Sequence, residues 1–270
     1  MSVTQSIKTI LIIGATSGIG EQFARRFHAL GKKVIITGRR AERLSSLKSE
    51  LGSNVESYQW DITDFENLSA QGSQILSAHP DINSVFIVSG LGSLFSFLDP
   101  STSTEAKIIA ECNTNVTAQM LLARIFVPHL HSLALKGEPA TLLLMGSGMG
   151  FLPLGFFPVY SATKTATHSL AVALRQQISR VPDANAKGKF NVVEVVAPYV
   201  ATDFDKDFRN ASLPTPLPLK EFMDDAMVGL DDVDENGKPP KEVAVGSAKP
   251  RAELWRASIG KYMNEIGLDC

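Results

Sequence analysis

Tyr160 and Lys164 stand four residues apart in Tyr160-Ser161-Ala162-Thr163-Lys164. On a helix that spacing puts a phenol and an ammonium on one face, where both can reach one ligand. A tyrosine ordinarily titrates near 10 and is a poor proton relay at neutral pH. A neighbouring ammonium favours the phenolate, so Lys164 is expected to lower that value. The pair can then hand a proton to a carbonyl oxygen or take one from an alcohol. Ser147, upstream at the end of an apolar run, supplies a second hydroxyl to hold the substrate oxygen. By itself Tyr-x-x-x-Lys arises often by chance, and Ser147 alone reads as a turn cap. The chemistry needs a further partner, and the start of the chain supplies a candidate.

There an apolar run enters Gly14-Ala15-Thr16-Ser17-Gly18-Ile19-Gly20. Glycines let a backbone turn sharply and come close to a pyrophosphate, whose charge a following helix N-terminus favours. The spacing is G-x-x-x-G-x-G, which differs from the commoner G-x-G-x-x-G dinucleotide turn. A purely structural tight turn is the competing reading, weakened by the strand-turn-helix order. The second apolar run ends in Ile36-Thr37-Gly38-Arg39-Arg40 with no acidic residue. A carboxylate there would suit the ribose hydroxyls of NAD, whereas an arginine, here Arg39, suits a 2′-phosphate, so the expected cofactor is NADP(H). Asp61-Ile62, closing the third run, would lie beside the adenine.

Strand candidates are Thr9–Ile13, Val34–Thr37, Val55–Trp60, Val85–Ser89, Thr141–Met145, Asn191–Val196 and Val243–Val245, most of them continuous apolar runs of the kind buried on both faces. Helical periodicity fills Ile19–Leu30, Ala41–Leu51, Asp64–Ala78, Thr104–Leu135 (long enough to be interrupted), Tyr160–Ser179 and Leu219–Val228. The alternation predicts an α/β, Rossmann-like doubly wound fold, with a seven-stranded parallel sheet and helices on both faces. With no repeat and no boundary signal, residues 1–270 are expected to form a single domain. A Pro-, Asp- and Gly-rich stretch over 204–240 reads as a substrate-side insertion, followed by an amphipathic tail at 247–270. The net charge of −2 gives no reason to expect nucleic-acid or anionic-membrane binding. No run reaches the roughly 18 apolar residues of a membrane span, and Met1–Lys8 lacks a signal-peptide layout. Cys112 and Cys270 make no disulfide framework, and the five histidines have no metal-like spacing, so no metal is expected. The expected location is cytoplasmic. His168, one turn after Lys164, reads as a packed or solvated helix residue.

Taken together, these motifs resemble the short-chain dehydrogenase/reductase family in its compact single-domain form, over about the first 200 residues. Gly14, Gly18 and Gly20 match the family's T-G-x-x-x-G-x-G turn, which implies cofactor contacts from Gly14, Thr16, Ser17, Gly18 and Ile19. Asp61-Ile62 matches its acidic adenine contact. Ser147, 13 residues before Tyr160, has the family spacing. Asn115 matches the asparagine of the fourth helix, while Pro198, Val200 and Thr202 match the stretch over the nicotinamide. The resemblance implies Tyr160 as general acid/base, with Ser147 orienting the substrate oxygen. Lys164 would hold the nicotinamide ribose and tune Tyr160, and Asn115 would carry a relay water to Lys164. Three departures stand out. Ile13 replaces a threonine, Ile87-Val88-Ser89-Gly90 replaces N-N-A-G, which leaves Gly90 as the cofactor contact, and Tyr199 replaces a glycine.

Around the nicotinamide, Leu91–Leu98, Met149–Phe157 and the insertion offer Leu94, Phe95, Phe97, Phe151, Leu152, Leu154, Phe156, Phe157, Phe204 and Phe208. Such apolar walls suit a hydrophobic ligand. The expected function is NADP(H)-dependent reduction of a ketone on an apolar or aromatic small molecule. Two other classes stay open: a catalytically silent NADP(H)-binding sensor or partner protein, and a cofactor-bound isomerase or cyclase. By resemblance a homo-oligomer, dimer or tetramer, is expected, pairing through Thr104–Leu135 and Tyr160–Ser179.

Overall fold

In the computed structural model, all residues are described except 103, 207, 208, 210–212, 269 and 270. Phe208 and Cys270 therefore lie outside the described residues. The apolar runs form β1 (Thr9–Ile13), β2 (Lys33–Gly38), β3 (Val55–Gln59), β4 (Ser84–Ile87), β5 (Ala140–Ser147), β6 (Phe190–Ala197) and β7 (Glu242–Ala244). All pair in parallel, in the order β3-β2-β1-β4-β5-β6-β7. Alternate residues serve opposite faces: Ile10 and Ile12 enter one core cluster, Leu11 and Ile13 the other. That is why these strands read as unbroken apolar runs.

The helices are α1 (Val3–Ser6), α2 (Gly18–Ala29), α3 (Ala41–Leu51), α4 (Leu68–Ala78), α5 (Glu105–Cys112), α6 (Ala118–Leu135), α7 (Pro158–Ser179), α8 (Leu219–Asp231), α9 (Lys249–Trp255) and α10 (Lys261–Glu265). One core cluster takes Phe23 and Phe27 of α2, Leu44 and Leu47 of α3, and Phe222 and Leu230 of α8. The other takes Ile75 of α4, Leu122 and Phe126 of α6, and Ala171 and Leu174 of α7. The sheet is thus covered on both sides, as a doubly wound fold requires.

Two details position the site. The long helical segment after β4 is interrupted by a π-helical turn at Asn113–Thr117, which places Asn115 between α5 and α6. Such single-turn widenings are frequent at functional sites. The proline-rich stretch after β6 leaves through a 3-10 turn at Asp203–Asp205 and returns beside its own start. Leu217 N donates to Tyr199 O (2.8 Å), and Ala201 N donates to Leu217 O (2.9 Å). α8 then makes the middle of the stretch regular helix. Among the described residues, no helix is long and apolar enough to cross a membrane.

Candidate active site

At the C-terminal ends of the strands lies a cleft of about 1330 Å³. It runs from the glycine turn, past Arg39 and Asp61, to Ser147 and Tyr160. This is where ligands of open α/β sheets bind.

The glycine turn is shaped by its lack of side chains. Gly14 has φ +104° and Gly18 φ +55°, in the region that disfavours side chains. A Cβ on Gly20 would come within 2.1 Å of Gly14 O, so the turn closes only with glycine there. Gly14 N and Ala15 N donate to Thr37 O (3.0 and 2.9 Å), fixing the turn to β2. At the start of α2, Ser17 makes no side-chain capping bond, which leaves helix N–H groups open for an anion. The arginines divide. Arg40 donates to Thr16 Oγ1 (2.6 and 3.0 Å) and Ser17 Oγ (2.7 Å), whereas Arg39 lies on the Asp61 side. Asp61 loses solvent by burial, but Thr63's hydrogen bonds and Arg39 outweigh that and hold its carboxyl below the usual range. Ile62 and Arg43 line the same end.

In the altered fourth-strand motif, Ser89 takes over the bracing. Val88 N, Ser89 N and Ser89 Oγ all donate to Ile13 O at 2.9 to 3.0 Å. Ile13 thus serves through its backbone, where its side chain has no polar group. Gly90 lines the cleft, and a Cβ there would meet Asn115 Oδ1 and Lys164 Nζ at 3.5 and 3.6 Å.

At the other end Ser147 closes β5, while Tyr160 and Lys164 project from α7, whose first residue is Pro158. Proline suits the first helical position because its missing N–H has no helix partner there. Ser147 and Tyr160 both line the cleft, and the Ser147 hydroxyl favours the ionised form of the phenol. Lys164 is buried, donates from Nζ to Met145 O (2.8 Å), and lies 5.6 Å from the centre of the Tyr160 ring. Burial pushes Lys164 down to about 8, against the pull of Glu194 and then Glu111. The expected lowering of Tyr160 is reversed. Its ring is open to the cleft on one side, but the protein crowding its other sides pushes the phenol above its ordinary range. The Ser147 hydroxyl opposes this and the Glu111 charge adds to it. Sequence gives the partner charge but not the desolvation, and here desolvation wins.

Asn115 is fully buried and does not line the cleft. Leu91 N donates to its Oδ1 (2.8 Å), and its Nδ2 donates to Leu91 O (2.7 Å) and Thr163 Oγ1 (3.0 Å). It ties the loop after β4 to α7. Pro198, Val200 and Thr202 line the cleft as expected, and Thr202 Oγ1 caps the 3-10 turn by accepting from Phe204 N (3.2 Å). Tyr199 also lines it, with its hydroxyl on Asp205, which Arg209 holds in turn.

The apolar wall is narrower than the sequence suggested. Leu154, Phe156, Phe157 and Phe204 line the cleft; Leu94, Phe95, Phe97, Phe151 and Leu152 do not. Phe151 packs on His168 and Trp255, and Phe95 is buried against Phe97. Phe204 stacks on Tyr160 with ring centres 5.5 Å apart. Two buried carboxyls near Lys164, Glu111 and Glu194, were missed. Glu194 was detectable, since it shares a strand face with buried Val192. Glu111 carries no sequence signal, because a glutamate in a short helix normally faces water.

Comparisons with known proteins fit this geometry. The family model for short chain dehydrogenase matches residues 8–212, and the chain belongs to that family. It is 32% identical over 204 residues to an uncharacterized oxidoreductase, DltE, of Bacillus subtilis (strain 168), covering 75% of each chain. It is 30% identical over 169 residues to the NADP-dependent 3-hydroxy acid dehydrogenase YdfG of Salmonella typhi, covering 63% of this chain and 66% of that one. Among solved structures, a short-chain dehydrogenase from Sphingobium yanoikuyae in complex with NADPH superposes with a TM-score of 0.76 at 25% identity, covering 95% of both chains. The chain is a short-chain dehydrogenase/reductase-type oxidoreductase with a Rossmann-like sheet.

Proposed function

We propose that this protein is an NADP(H)-dependent reductase of ketones borne on apolar or aromatic small molecules. The observation that carries the reading is one cleft joining a side-chain-free phosphate turn to the Ser147 and Tyr160 hydroxyls beside buried Lys164. The NADPH-bound Sphingobium structure and the NADP dependence of YdfG support the cofactor choice.

The residues present fit such a cofactor. Gly14, Gly18 and Gly20, with Ile19, leave backbone room for the pyrophosphate at the open start of α2. Arg40, Thr16 and Ser17 already form a polar cluster that suits a 2′-phosphate, with Arg39 and Asp61 beyond it. Gly90, Pro198, Val200 and Thr202 would flank the nicotinamide half, and Lys164 its ribose. When bound, NADPH supplies the hydride. Ser147 accepts the role of holding the substrate oxygen, and Tyr160 donates its phenolic proton to that oxygen as negative charge develops on it. A phenol held above its ordinary range stays protonated at working pH, which suits the reducing direction. Lys164 then stabilises the phenolate left behind. Phe156, Phe157 and Phe204 exclude water and accept an apolar substrate body.

Steady-state oxidation of NADPH and NADH, followed at the nicotinamide absorbance across a carbonyl panel, tests the reading. Turnover of bulky apolar or aromatic ketones with NADPH is expected. Turnover confined to small charged carbonyls, or a marked NADH preference, overturns it. NADPH binding with no oxidation by any carbonyl would favour the silent binding protein.

A further inference from the structure

Behind the reacting end, Lys164, His168 and Arg175 share one stripe of α7 and face β5, β6 and β7. Among them, in the middle of β6, stands Glu194, with no exposed surface. A buried carboxylate is costly unless it is paired and hydrogen-bonded. Several features accommodate this one. Gly146 leaves a notch for it, since a Cβ there would come within 2.0 Å of Glu194 Oε1. His168 Nδ1 donates to Glu194 Oε2 (2.7 Å). The His168 ring is held between Phe151 and Trp255, each with its ring centre 4.3 Å away. Oε1 has no hydrogen-bond partner among the described residues.

This arrangement adjoins the residue that anchors Lys164. The Lys164 ammonium is hydrogen-bonded to Met145 O, the residue before the notch. Glu194 is the strongest charge opposing the burial that drives Lys164 down to about 8. The other groups facing Lys164 are Glu111 from α5, Asn115 from the π-helical turn, and Tyr160 on its own helix. His168, Glu194 and Glu242 bring potential ligand atoms within 4.8 Å of one another. However, Arg175 and Arg256 both engage Glu242, and guanidinium groups there oppose a bound cation.

We propose that Glu194, seated in the Gly146 notch and held by His168, is a positioning residue that keeps the Lys164 ammonium charged and fixed beneath the cleft. The inference rests on the reading of Lys164 as part of the reacting end. It adds a second layer, running from the C-terminal Trp255 through His168 and Glu194 to Lys164.

The test is an NMR titration of isotope-labelled lysines in the full chain, with Lys164 assigned through Lys164→Arg. Losing a nearby carboxylate typically shifts a partner by about one to three pH units. In Glu194→Gln, Lys164 is expected to lose its proton at least about one pH unit, tenfold in proton affinity, below wild type. Glu194→Asp should restore part of that shift. His168→Leu, which keeps the carboxylate but removes the donor that seats it, should also shift the Lys164 titration and carries the test if Glu194→Gln does not fold. An unchanged Lys164 titration in a folded variant overturns the proposal, because a merely structural carboxylate would alter stability alone. The alkaline limb of NADPH-dependent ketone reduction gives a second readout. A lysine is charged below its pKa, so the limb should move to lower pH by the same amount. A shifted Lys164 in a protein without carbonyl turnover would sink the functional reading and leave this one standing. Turnover with an unshifted Lys164 and an unshifted limb would do the reverse.

Discussion

Replacing Glu111 by glutamine should flatten the dependence of stability on pH. Glu111 is 1% exposed, and neither carboxyl oxygen has a hydrogen-bond partner of regular geometry, although Ser93 lies against it. Burial raises its pKa from 4.5 to about 7, against the smaller opposing pull of Ser93 and Lys164. The folded chain therefore binds this proton more tightly than the unfolded chain. The associated stability is fully present below pH 4.5 and is lost as pH rises through about 7. At about 1.4 kcal/mol per pH unit the whole effect is about 3 kcal/mol. Glutamine keeps the shape and cannot ionise. Denaturant unfolding at a series of pH values between 4.5 and 8, with the m-value held common, measures the difference. Wild type should lose up to about 3 kcal/mol more than Glu111→Gln across that range, most of it before pH 7. Parallel curves for the two proteins would refute the argument that burial governs this carboxyl.

Other outcomes follow from the same geometry. Tyr160→Phe should lower kcat by about 10²- to 10⁴-fold while NADPH binding, read by fluorescence titration, changes little. Arg40→Ala removes the guanidinium on Thr16 and Ser17, and should weaken NADPH by about ten- to a hundredfold with NADH unchanged. Equal losses for both nucleotides would dissociate Arg40 from the 2′-phosphate. Gly20→Ala drives a Cβ into Gly14 O and should destabilise the chain by about 1–3 kcal/mol, with loss of nucleotide binding, in thermal unfolding and titration.

Most of the sheet was legible because strands buried on both faces leave unbroken apolar runs, and all seven candidates became strands, the half-exposed edge strand β3 (Val55–Gln59) among them. The glycine turn and the Ser147–Tyr160–Lys164 spacing were legible because they are local in sequence and each forces a backbone or helix-face geometry. What escaped depended on contacts across elements. Phe151 looked like pocket wall from its place in a loop after β5, but it packs on His168 and on Trp255, more than a hundred residues later, and does not line the cleft. His168 read as a packed or solvated helix histidine until Glu194 appeared opposite it. Tyr160 was expected to be lowered by Lys164, but the sign depends on how much protein surrounds the phenol, which residue spacing does not reveal. Arg39 was the arginine read for the 2′-phosphate, and only the folded turn shows Arg40 on Thr16 and Ser17 with Arg39 beside Asp61.

The most direct test of the central claim follows one hydrogen atom. Wild-type protein, NADPH deuterated at the transferable position, and a bulky aromatic ketone are incubated, and the alcohol is examined by NMR. Deuterium on the carbinol carbon is expected with wild type and NADPH, and its near absence with Tyr160→Phe. Protein that binds NADPH yet places deuterium on no ketone carbon, or does so only from NADH, would contradict the account.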